Sequence, residues 1–275
     1  MWDRIEPLMP ADPVRGRRWA DHRRTLEAIA WKYRTNSPWR DLPDELGPFQ
    51  TAHKRLIRWA VDGTWEMILA AVLAAADADD DLDWTVSVDS TVVRAHQHAA
   101  GARKRGRPTA VSPDHALGRS RGGLSTKVHL AADGRARPLA FTVTAGQAGD
   151  APAFETVMSR IRVPRRGPGR PRTRPLAVLA DRAYSSRAIR AHLRRRGIRA
   201  VIPQPSDQIG HRLRRGRLGG RPPGFDSHAY KQRNTVERCI NRLKQWRGLA
   251  TRTDKLAIAY QAALHLAGIL IWTRP

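Results

Sequence analysis

Asp89, Asp181 and Glu237 are acids set where a folded chain must account for their charge. Asp89 interrupts residues 84–94, Trp-Thr-Val-Ser-Val-Asp-Ser-Thr-Val-Val-Arg. This run is rich in β-branched side chains and free of Gly and Pro, so it reads as a strand buried on both faces of a sheet. Burying an ionised carboxylate costs several kcal/mol unless a cation or a set of hydrogen bonds compensates it. Asp181 ends the apolar run Leu-Ala-Val-Leu-Ala-Asp, residues 176–181. That is the pattern of a buried parallel strand presenting an acid at its carboxyl end, where open α/β sheets keep their sites. Glu237 falls in residues 230–246, which contain no Pro or Gly and read as one helix with an apolar stripe of Val236, Ile240 and Leu243. At about 100° per residue, Tyr230, Arg233, Glu237 and Lys244 share an arc of roughly 60°, about 80° around from the stripe. Such a helix can rest on a sheet while the polar row looks into a cleft. Ordinary explanations stand beside these: an Asp capping a turn, and Arg233 with Glu237 as a surface pair one turn apart.

The elements around the acids follow from patterning. Residues 123–130 and 136–144 read as two strands joined by a turn at Asp133-Gly134, so with residues 84–94 they form a three-stranded antiparallel meander. Asp150 is expected to cap a helix over 152–161, and Ser185 or Ser186 a basic helix over 187–196 that Gly197 stops. Residues 198–203 read as one more strand, and 204–226 as a poorly ordered loop. Residues 160–175 hold seven Arg, a linker that is either disordered or on phosphate; Lys104-Arg105-Gly106-Arg107-Pro108 resembles a hook for a narrow minor groove. His96 and His98 form a metal-type pair with no third ligand in view.

Before residue 77 the pattern is helical with several breaks. Apolar spacing predicts helices over 19–33, over 52–61 capped by Thr51, and one capped by Thr64 that runs through Leu73. Six of the nine Trp lie in the first 65 residues, mostly on apolar faces, and are expected in the core. Short helices with tight turns fit a helix-turn-helix-like module, against which its near-neutral charge weighs. The acidic, Ala-rich run 74–83 marks a boundary near residue 80.

The 275 residues suffice for one sizeable domain and a small one, and the single Cys excludes an internal disulfide or a Cys-based metal cluster. Residues 1–83 carry 12 Lys+Arg against 15 Asp+Glu, whereas 84–275 carry 38 against 10, so the net charge of +25 belongs to the second part. A field of that sign implies a polyanion, most simply nucleic acid. The start has no apolar run, which argues against a secretory signal, and residues 256–272, uncharged for 17 residues, are expected as a core helix and not a membrane span.

Together these features resemble a DDE transposase of a bacterial insertion sequence, in the insertion-sequence-four/five superfamily and closest to family five. Asp89 in Val-Asp-Ser-Thr matches the first acid, Asp181 in Leu-Ala-Asp-Arg-Ala-Tyr the second, and Glu237 the third. The last stands in the pattern Tyr230, Arg233, Glu237, Lys244, complete here. The similarity runs from Trp31-Lys32-Tyr33-Arg34 and residues 38–43 through residues 118–124 to residues 269–272, with Arg182 where many relatives have Lys. It implies an α/β, ribonuclease H-like mixed sheet flanked by helices over 81–275, behind a small all-α module over 1–80. It also implies two Mg²⁺ ions, or Mn²⁺, on Asp89, Asp181 and Glu237, since hard cations take carboxylates and water.

The partner so implied is double-stranded DNA, at inverted-repeat ends and at the target. Tyr230, Arg233 and Lys244 are expected near the scissile phosphate, with contacts from Arg105, Arg107, Arg119, Arg121, Lys127 and Arg182. Arg165, Arg166, Arg170, Arg172 and Arg174 are expected on flanking duplex. The protein is expected in the bacterial cytoplasm, self-associating on DNA, with no membrane contact. A metal-dependent nuclease that cuts without joining, and a silent DNA-binding regulator, are the alternatives.

Overall fold

A computed structural model describes residues 1–16, 18–100 and 115–274. Its helices are α1 (Trp2–Ile5), α2 (His22–Thr35), α3 (Phe49–Val61), α4 (Thr64–Ala78), α5 (Gln97–Ala100) and α6 (Asp150–Arg160). They continue with α7 (Arg187–Arg195), α8 (Ser206–Arg214), α9 (Ser227–Tyr230), α10 (Asn234–Lys244), α11 (Arg247–Ala250) and α12 (Ala257–Thr273). The strands are β1 (Thr85–Ala95), β2 (Gly118–Ser120), β3 (Gly123–Ala132), β4 (Pro138–Ala145), β5 (Ala177–Ala180), β6 (Arg199–Val201) and β7 (Thr251–Arg252).

β1 is the centre of the sheet: Val86 and Val88 are buried on one face, and Ser87 meets a helix on the other. β3 pairs antiparallel with β1 and with β4. β5 runs parallel to β1, and β6 parallel to β5. The resulting order β4-β3-β1-β5-β6, a meander extended by two parallel strands, is the ribonuclease H-like sheet expected from the sequence. One face carries α6, packed on β3 and β4. α10 lies on the other, where Thr235 Oγ1 donates to Ser87 Oγ at 2.9 Å.

α12 is buried along nearly its whole length and packs on α2, α3, α4 and β4, so the first and last helices share one core. Among the described residues no single helix is long and apolar enough to cross a membrane. Trp59 and Trp65 are fully buried, edge to face at 5.2 Å. α11 meets α2 so closely that a Cβ on Gly248 would stand 2.9 Å from the Tyr33 ring.

Several local expectations are corrected. Residues 204–226 contain α8 and a 3-10 turn at Gly216–Gly219 instead of an irregular loop throughout. The helix read over 230–246 is interrupted by a 3-10 turn at Lys231–Arg233. Neither Thr51 nor Thr64 caps: α3 starts at Phe49, behind Pro48, and α4 at Thr64 itself, behind Gly63. Asp150 is the first residue of α6, not its cap, because its carboxylate is engaged by Ser90 and Lys127. Ser186 caps α7 as expected, accepting from the Ile189 N–H at 3.2 Å.

Two buried imidazoles make stability depend on pH. His129 on β3 and His265 on α12 are each held down to about 4, chiefly by burial. Both are 6.5 in an unfolded chain, so their contribution is complete above about pH 6.5 and is lost as pH falls toward 4, where the unfolded state alone takes the proton. Each accounts for up to ~3 kcal/mol. Unfolding midpoints in urea are expected to drop across this window, and His265→Gln should flatten the drop; an unchanged slope in that variant would exclude the assignment.

Candidate active site

The register of β1 and β5 ends with Val88 beside Ala180, so Asp89 is the next residue within β1 and Asp181 the first residue past the end of β5. Asp89 points to the face covered by α10, where Arg233 meets it. The turn that leads into α10 delivers Arg233: its Nη1 donates to Asp89 Oδ2 at 2.9 Å and its Nη2 to Glu237 Oε1. One guanidinium therefore bridges the first and third acids. Asp181 accepts the Ala183 N–H at 2.9 Å, which starts the 3-10 turn Arg182–Tyr184.

Charge is concentrated here. Burial pushes the Asp89 carboxyl up; the Ser90 N–H and Arg233 oppose this, and the charge of Asp181 adds to it. Burial pulls Arg233 down, but Asp89, Tyr230 and Glu237 outweigh it and leave the guanidinium above its ordinary value. The buried Tyr184 hydroxyl is raised first by burial and then by the charges of Asp150, Asp89 and Asp181. Among the described residues no group of three or more His, Cys, Asp or Glu is already arranged as a metal cage. The donor set nevertheless suits a hard cation, being carboxylate oxygen throughout, with one oxygen of Asp89 and one of Glu237 taken by Arg233.

The remaining expected contacts divide. Lys244 Nζ reaches the Val92 carbonyl at 3.4 Å, three residues beyond Asp89, and burial lowers its pKa. Tyr230 packs on Phe225 at 5.4 Å and on the small apolar patch of Ala177, Leu179 and Val201, so its ring is engaged by the protein. Arg119, Arg121 and Arg182 are exposed, as are Arg165, Arg166, Arg170 and Arg174. The loop carrying those last four enters β5 at the end opposite Asp181 and closes through a Val163–Arg172 bridge.

Two residues expected on DNA are paired within the fold: Arg172 with Asp77 at 3.2 Å and over the Trp84 ring at 4.0 Å, and Lys127 with Asp150 at 3.1 Å. Arg105 and Arg107 lie outside the described residues. His96 and His98 meet edge to face at 4.4 Å without a third ligand among the described residues. Sequence reasoning missed Asp150 and Ser90; the only signal was Asp150 itself, which reads equally well as a helix cap. A cleft of about 830 Å³ is lined by Leu8, Met67, Ala71 and Trp272 among others and shares no residue with the acids.

Comparison with known proteins gives matches over most of the chain. The family model "Transposase DDE domain" matches residues 81–272, and a model for transposases of the IS4/5 family matches residues 1–69. A Brucella ovis protein named as a transposase for insertion sequence element IS6501 is 30% identical over 151 residues, 55% of this chain and 100% of that one. "Uncharacterized protein y4sN" of Sinorhizobium fredii is 40% identical over 105 residues, 38% of this chain and 79% of that one. Among solved structures, the Mos1 transposase paired-end complex with left transposon end is 12% identical, covering 86% of this chain and 82% of that one. Its TM-score of 0.25 is too low to carry an argument.

Proposed function

Since this chain belongs to the DDE transposase family of bacterial insertion sequences, we propose that Asp89, Asp181 and Glu237 are its catalytic acids. In this reading they carry out phosphodiester cleavage at the ends of an element and then strand transfer. Two Mg²⁺ ions, or Mn²⁺ in their place, would activate the entering oxygen and stabilise the leaving one. Asp89 is held within β1 and Asp181 directly after the adjacent β5, while Glu237, on the exposed side of α10, closes the set from a helix. Arg233 and Lys244 flank the acids and steady phosphate oxygens. In the first step water attacks phosphorus and a 3′-hydroxyl leaves. In the second that hydroxyl attacks a target phosphodiester, forming one O–P bond and breaking another.

The observation that carries this reading is the single guanidinium shared by Asp89 and Glu237, residues 148 apart in sequence, with Asp181 directly after the adjoining strand. The balance of +28 over residues 84–275 supplies attraction for duplex DNA. The protein acts in the cytoplasm, in more than one copy on paired ends. The test incubates the chain with a duplex bearing the inverted repeat that flanks its reading frame, with Mg²⁺ or Mn²⁺. Nicked ends and joined products are both expected. Cutting without joining would favour a nuclease, and tight binding without cutting a silent regulator.

A further inference from the structure

We propose that Asp150 is a positioning residue for Asp89, acting through Ser90 from the far face of the sheet. Asp89 and Ser90 are consecutive on β1, so their side chains leave on opposite faces: Asp89 toward Arg233 and α10, Ser90 toward α6. Two hydrogen bonds couple these faces. The Ser90 backbone N–H donates to Asp89 Oδ1 at 2.8 Å, and the Ser90 hydroxyl donates to Asp150 Oδ1 at 2.6 Å. Asp150 is itself pinned, because Lys127 Nζ donates to the same oxygen at 3.1 Å. His129, directly across from Ser90 in the β1–β3 register, brings Nδ1 to 3.8 Å of that oxygen. As the first residue of an eleven-residue helix, the carboxylate also meets the positive end of the α6 dipole.

The backbone from which Asp89 springs is thus clamped to a charged anchor that touches neither Arg233 nor Glu237. Groups that orient ligands from behind commonly alter metal affinity by about 10–100-fold when removed. Lys127 acquires a role by the same geometry: it braces Asp150.

This inference rests on the proposed role of Asp89 in holding a divalent ion, and the experiment separates the two. Mn²⁺ binding to the full chain is measured by titration calorimetry well below the unfolding temperature, for the wild type and for Asp89→Ala, Asp150→Ala, Asp150→Asn and Ser90→Ala. Asp89→Ala is expected to abolish binding, and Asp150→Ala to weaken it about 10–100-fold. Asp150→Asn, which keeps an oxygen acceptor for Ser90, should recover most of the affinity. Ser90→Ala cuts the same link from the other end and carries the test should Asp150→Ala fail to fold. The Mn²⁺ concentration for half-maximal cleavage should rise in parallel with the binding constant. If Asp89→Ala abolishes binding while Asp150→Ala and Ser90→Ala retain wild-type affinity and lose only thermal stability, the positioning role is overturned and the metal site stands. If Asp89→Ala binds Mn²⁺ normally, both are overturned.

Discussion

Asp89→Asn is expected to leave DNA binding intact and to cut strand cleavage by about 10³-fold or more. Asn is nearly isosteric and keeps the strand in register, but it is a neutral and far poorer ligand for a hard cation. The charge it removes lies at the bottom of the cluster, half-buried and 2.9 Å from Arg233. Losing ~4 kcal/mol of transition-state stabilisation corresponds to this factor. Binding should be unchanged or slightly tighter, because one negative charge has left a surface that attracts phosphate and Arg233 has lost a competitor for it. Gel-shift titration and initial cleavage rates on one DNA end measure both quantities. Cleavage within tenfold of wild type would remove Asp89 from the chemistry, and a parallel loss of binding would make it structural.

The largest effect on stability is expected from Arg252→Ala, a loss of roughly 3–5 kcal/mol. Arg252 is fully buried, an uncommon position for a guanidinium. It donates to the Thr126 hydroxyl at 2.6 Å and to the carbonyls of His115 at 2.9 Å, Ala116 at 3.2 Å, Asp254 at 2.9 Å and Lys255 at 3.2 Å. Truncation would leave several carbonyls buried without donors and open a cavity beneath Tyr260, whose ring lies 5.4 Å from the guanidinium carbon. Arg252→Lys should rescue little, since one ammonium cannot span acceptors spread over residues 115 to 255. Urea unfolding at neutral pH reads the change, and a shift below about 1 kcal/mol would show that these contacts contribute nothing net.

Arg252 also shows where patterning ends. Thr-Arg-Thr-Asp-Lys, residues 251–255, reads as a polar connection and has no apolar period, yet β7 forms there and pairs with the end of β1. Its burial is set by segments more than 120 residues away, and local periodicity does not report such contacts. Residues 204–226 failed for a different reason: Gly, Pro and Arg made them resemble a loop, whereas α8 forms with most of its side chains in water.

Strand periodicity and the apolar run before Asp181 were enough to give the meander and a parallel β5, whereas the order of the sheet was set by the fold. Burial of alternate side chains leaves a period of two that survives in any tertiary context. The same reasoning held that a carboxylate inside β1 needs a positive partner or hydrogen bonds, and in the folded chain Asp89 has both, in Arg233 and the Ser90 N–H. Only the tertiary structure decided which cations are spoken for. Lys127 and Arg172, expected on phosphate, are held by Asp150 and Asp77, while Asp150, read as a cap, anchors the strand behind Asp89. Charge is legible in a sequence as a sum. Its pairing depends on distances of about 3 Å between residues far apart in the chain, which only the packing of helices on the sheet can set.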